Sequence, residues 1–143
     1  MDIQQRISKT LRLDTGSSET KRQELKAYFN QTFSLYESLF RLISDDTAHY
    51  TRAEPLRHPL VFYFGHTATF FVNKLLLAKL IDKRIDPDLE AMFAIGVDEM
   101  SWDDMNDAHY DWPAISAVRD YRDLVRERVN QLIDALPITL PIT

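Results

Sequence analysis

The chain contains no cysteine, so its candidate soft chemistry rests on imidazole. Histidine titrates near neutral pH and is the commonest side-chain ligand for metals such as iron, zinc and nickel. Four are present, His49, His58, His66 and His109. Only His66 lies inside a long apolar run, RHPLVFYFGHTATFFVNKLLLAKLI from Arg57 to Ile81. A polar ring placed there needs a hydrogen-bond partner or a ligand. On a helix its stripe carries Phe62, Tyr63, Phe70 and Asn73, and Gly65, Thr67 and Thr69 lie beside it. Two readings follow from the residues. One is a core or edge histidine bonded to a backbone carbonyl or a threonine. The other is a metal ligand projecting into a helical bundle, where facing helices supply such sites. No HxxxH or HExxH spacing occurs, so further ligands would have to come from elsewhere.

The other histidines read as loop or capping residues. His49 and His58 fall in a connection, and His109 in an acidic segment. That segment, 83–111, holds nine Asp/Glu against Lys83 and Arg84, a local balance of −7 in a chain of net −5. Asp98-Glu99 and Asp103-Asp104 around Trp102 could hold a cation or a cationic substrate group, or be solvated acids capping short turns. His66, His109 and one of these carboxylates would make a two-His, one-carboxylate set, though no spacing requires it. There is no Gly-x-Ser-x-Gly elbow, and three glycines provide no phosphate loop. No catalytic residue and no cofactor-binding residue is assigned.

The elements that position His66 are helical. Gly16-Ser17-Ser18 supplies a helix start with Ser17 or Ser18 as cap. A first long helix is expected over 19–43, with Leu25, Phe29, Phe33, Tyr36, Leu39, Phe40 and Ile43 at 3–4 spacing. Glu54-Pro55 and His58-Pro59 break the following connection. The His66 helix is expected over 59–82 with Pro59 at its first position. The acidic connection carries a short helix, 87–94, and is long for a bundle. A third long helix runs from 112 to 136, with a stripe of Ile115, Val118, Val125, Val129, Leu132 and Leu136. Arg119, Arg122, Arg126 and Arg128 sit among acids, a solvated pattern. The expectation is one all-α domain, 1–143, a four-helix bundle reduced to three long helices and an acidic connection. The proline-spaced tail LPITLPIT reads as a connection leading onward, so a fragment of a longer protein is expected, with one bundle helix missing or its place filled by the N-terminal residues or another subunit.

Net charge −5 and pI about 5.3 argue against a nucleic-acid partner. The apolar run approaches membrane-span length, but Arg57, His58, His66, Asn73, Lys74 and Lys79 flank or interrupt it, so it reads as a core helix and no membrane is expected. The first residues lack the apolar core of a signal peptide, and the lack of cysteine fits a reducing cytoplasm.

RHPLVFYFGHTATFF, with its Gly65-His66-Thr67 step, resembles the second helix of the DinB-like domain of non-haem iron sulfoxide synthases. The run MFAIGVDEMSWDDMNDAHYDWP and the tail LPITLPIT are similar to the ovothiol-pathway branch, the 5-histidylcysteine sulfoxide synthases, rather than the ergothioneine-pathway branch. The resemblance covers the chain from about residue 20 to its end. It implies an enzyme that joins cysteine sulfur to the histidine imidazole with Fe(II) and dioxygen, giving a sulfoxide. It implies that His66 is one of three histidine iron ligands. The other two would come from an HxxxHxE motif on a following helix, and most of the substrate pocket from a second domain. As a fragment, the chain by itself is then expected to be inactive. A stand-alone DinB-like metal-dependent thiol transferase is the alternative enzyme. A non-catalytic helical module is the alternative without chemistry. A bundle lacking one helix would expose an apolar stripe, so a homo-oligomer is expected of the fragment.

Overall fold

The computed structural model describes residues 10–95 and 111–139. Their regular structure is entirely helical, as expected: α1 (Ser18–Phe40), α2 (Leu60–Leu77), α3 (Pro87–Met92) and α4 (Ile115–Ala135), with a 3₁₀ turn at Asp46–His49. Contacts gather in two compact units. One comprises Met1–Leu42 with Arg126–Thr143, the other Ile43–Val125. Thus α1 and the end of α4 belong to the first unit, while α2, α3 and the start of α4 belong to the second.

In the first unit, Gly16 at φ 85° turns the chain into α1, and the Ser17 hydroxyl caps it by accepting from the Thr20 amide. Phe29, Phe33 and Phe40 are buried along one stripe. Leu39, expected on that stripe, is 54% exposed, because it lies a residue off the narrow line of phenylalanines. The helix stops at Phe40, leaving Ile43 outside it. Asn30 and Asn130 exchange side-chain amide bonds of 2.7 and 3.0 Å. Arg126 stacks on the Phe33 ring and donates to Ser34 and Glu37. Arg22 donates to the Ile133 and Leu136 carbonyls, which the end of α4 leaves without helical partners. The solvated reading of the α4 arginines therefore fails at Arg126, and at Arg122, which is 1% exposed in the second unit. The flat guanidinium heads lie over phenylalanine faces, where charge counting places no arginine.

In the second unit α2 is the core helix. Pro59 is its N-cap, in extended geometry, rather than its first helical residue. Val61, Phe62, Phe64, Gly65, Ala68, Thr69 and Val72 are buried. Among the described residues α2 is long and apolar enough to cross a membrane, yet these seven residues are buried within the protein. It ends at Leu77, five residues before the expected stop at Asp82. Lys79 takes φ 57°, and the Lys79 and Leu80 amides close onto the Leu76 and Leu75 carbonyls at 3.0 and 2.9 Å. That is the Schellman stop, normally made by glycine, so its residue signal is missing here.

The short helix α3 starts at Pro87 as expected and ends at Met92, two residues early. Asp86 caps it by accepting from the Leu89 amide. The Tyr50 hydroxyl does the same office for α4 from a distant loop, accepting from the Ile115 amide and donating to the Pro113 carbonyl. That bond explains why α4 begins at Ile115 rather than at Trp112-Pro113. Ile115, Val118, Val125, Val129 and Leu132 are buried, so the expected α4 stripe is correct over nearly its length.

Candidate functional site

Each residue of the Gly65-His66-Thr67 step has a distinct task. Gly65 is where α3 reaches α2. A Cβ there would stand 2.3 Å from the Phe93 ring, so only hydrogen fits. The ring of Phe93 is fully buried, near Phe62 and stacked with Trp112. With Phe93 seated on Gly65, its carbonyl lies 2.7 Å from His66 Nδ1. A carbonyl can only accept, so Nδ1 carries the proton and the lone pair of the neutral ring resides on Nε2. Nε2 has no hydrogen-bond partner among the described residues. The imidazole is half-buried and stacks on Phe62 at 5.3 Å and 11°. Thr67 and the Phe64 carbonyl both accept from the Arg122 guanidinium, at 2.7 and 2.6 Å, while that guanidinium lies over the Phe64 ring. Arg122 thus ties the start of α4 to the turn of α2 that bears His66.

His66 lines an open cleft of about 670 Å³ within the second unit, together with Phe70, Asn73, Lys74, Arg84 and Glu90. The Glu90 carboxylate is buried and fully used. One oxygen accepts from the Ile85 and Asp86 amides at 2.9 and 3.0 Å, the other from Arg84 at 2.9 Å. Arg84 also donates to Asn73 at 3.0 Å. Tyr121, bonded to Thr69 at 3.1 Å, has its phenol pushed well above the ordinary range. Burial is the main cause; the Thr69 bond opposes it, and the Glu90 and Asp86 charges add to it.

The backbone-carbonyl reading of His66 describes the one bond that the ring makes among the described residues. A backbone carbonyl does hold the ring, but by one nitrogen only. With Nδ1–H held by a backbone carbonyl, the Nε2 lone pair is the atom of this ring that could donate to a metal ion. Among the described residues no three His, Asp or Glu side chains converge to complete a metal site. The stripe neighbours Phe62 and Phe70 do pack on the ring, and Asn73 lines the same cleft. His49 and His58 are loop residues, but buried ones. His58 donates from Nε2 to the Ile95 carbonyl at 3.2 Å and packs tilted against the Phe62 ring, and His49 donates from Nδ1 to the Asp46 carbonyl. His109, Asp98, Glu99, Trp102, Asp103 and Asp104 lie outside the described residues, and with them the two-His, one-carboxylate set. Sequence reasoning missed Phe93, Glu90 and Arg84. The only signal for Phe93 was the glycine beside His66, which implies a close approach without naming what approaches.

The sequence profile of the DinB superfamily matches residues 28–141, most of the chain. The protein belongs to the DinB superfamily, a metal-associated one. No curated protein matches the chain.

Proposed function

We propose that His66 is a metal ligand, and that this chain is the ligand-bearing N-terminal part of an Fe(II)- and dioxygen-dependent sulfoxide synthase of the ovothiol branch. Its substrates on this reading are cysteine, histidine and dioxygen. The observation that carries the ligand role is the state of the imidazole: Nδ1–H is committed to the Phe93 carbonyl, and Nε2 has no partner among the described residues. The carbonyl also makes Nε2 a stronger donor. The finer reading is supported by the Gly65-His66-Thr67 step and the two long runs quoted above. When bound, Fe(II) would supply the activation of dioxygen that sulfur–imidazole coupling needs. The chain's own contribution is orientation. Gly65 admits Phe93, Phe93 fixes the tautomer, and Phe62 holds the ring plane. The reading requires the remaining ligands from outside the described residues.

The test is anaerobic Fe(II) titration of the full-length protein and of His66→Ala, followed by product analysis with cysteine, histidine and dioxygen. Loss of a ligand lowers metal affinity by at least about 10-fold, the size of even an outer-shell change. Equal iron affinity in His66→Ala would end the ligand role. Tight iron at His66 without any cysteine–histidine sulfoxide would end the synthase reading and leave a metal-dependent DinB protein of another activity.

A further inference from the structure

The cleft beside His66 has a second set of groups that the ligand role does not use. Lys74 is an exposed residue of α2, with its ammonium 5.2 Å from the Phe70 ring centre and no carboxylate partner among the described residues. Arg84 spends a single nitrogen, Nη1, on both Asn73 and Glu90. Its Nε–Nη2 edge has no partner among the described residues, and the side chain is 44% exposed. That edge is the one that meets a planar carboxylate with two parallel bonds. The Glu90 and Asn73 bonds hold it in place before any ligand arrives. Glu90 cancels the Arg84 charge, so these groups present a net charge of +1, from Lys74. The remaining wall is His66 and apolar residues, among them Phe70, Leu77, Pro87 and Ala91. The volume suits a small molecule.

We propose that this cleft binds a small monocarboxylate with an aromatic or apolar body, its carboxylate on the Arg84 edge and Lys74. A dianion such as phosphate would leave one charge unmatched. The proposal stands on Lys74 and Arg84 and does not rest on the iron reading.

The test is an NMR titration of the metal-free full-length protein with 3-phenylpropionate and with its neutral isostere 3-phenylpropionamide. The acid is expected to shift the Asn73, Lys74 and Ala91 amide signals and to bind about 10-fold or more tighter than the amide, the scale of a charged hydrogen bond. Lys74→Gln changes an exposed side chain. Arg84→Lys keeps a cation against Glu90 but removes the flat edge. Each is expected to weaken the acid several-fold and leave the amide unchanged. Equal binding of acid and amide, no binding of either, or an acid preference surviving in both variants would overturn the proposal. Inorganic phosphate competing more strongly than the acid at the same signals would overturn the choice of a carboxylate. Because metal is left out, none of these outcomes bears on iron at His66.

Discussion

Gly65→Ala adds one carbon, and helix propensity alone says it should help. In an exposed helix interior the change stabilises by about 1 kcal/mol. Here the new Cβ would fall 2.3 Å from Phe93 Cε2 and 2.4 Å from Cδ2 and Cζ. Ordinary carbon contacts lie at ~3.5–4.0 Å. The ring would have to retreat by roughly 1 Å or more, yet it is fully buried beside Phe62 and Trp112. Overpacking of this kind costs about 1–3 kcal/mol. Disturbed aromatic contacts add about 0.5–1.5 kcal/mol. Set against the propensity gain, the net expectation is a loss of about 1–3 kcal/mol, read from the urea midpoint at unchanged slope. The double-mutant cycle sharpens the test. With Phe93→Ala in place the steric conflict is gone, so Gly65→Ala should turn neutral or stabilising by up to about 1 kcal/mol. If Gly65→Ala stabilises the otherwise unchanged protein, the close approach of Phe93 is not as described and the account of His66 loses its foundation.

Lys79→Gly relieves a non-glycine residue at φ 57° in the α2 stop, and is expected to stabilise by roughly 1 kcal/mol in urea or thermal unfolding. A loss of stability would mean that the Lys79 side chain contributes more than its backbone costs. Glu90→Gln places an amide where the Ile85 and Asp86 amides and Arg84 all need an acceptor; because Arg84 is half in solvent, the expected cost is about 2 kcal/mol, below that of a fully buried pair. Hydrogen exchange should show the loss first in α3. Tyr121 keeps its proton in the folded protein at a pH where the unfolded chain, near pKa ~10, gives it up. Its contribution is whole below that pH and declines as pH rises above it. Tyr121→Phe should therefore flatten the alkaline fall in urea midpoint, and an identical slope in both proteins would contradict the burial of the phenol.

The helices were legible because their apolar positions repeat at helical spacing, and a serine cap at 17 or 18 because a hydroxyl before an acidic first turn has one common use, the structure choosing Ser17. His66 was legible because an imidazole inside an apolar run calls for an explanation. The stop of α2 was not, since its left-handed residue is a lysine and its carbonyls are closed by backbone bonds that no side chain advertises. Arg122 was misread for a related reason. Its partners are a backbone carbonyl, a threonine and a phenylalanine face, none of which a count of neighbouring charges detects. The acceptor for His66 is a main-chain oxygen 27 residues away, and main-chain oxygens carry no sequence mark.

α3 is six residues long, too short to persist as a helix by itself. It is held by two anchors, the buried Glu90 carboxylate and the Phe93 ring seated on Gly65. Those anchors also serve His66 and Arg84. Fraying of this one turn-and-a-half would therefore free the imidazole to rotate and release the guanidinium in a single event. Any ligand of either group then binds only the fraction of molecules in which α3 is docked, and its apparent affinity is scaled by that fraction. Occupancy at one group would raise the docked fraction for the other, a reciprocal coupling between two sites that need never touch.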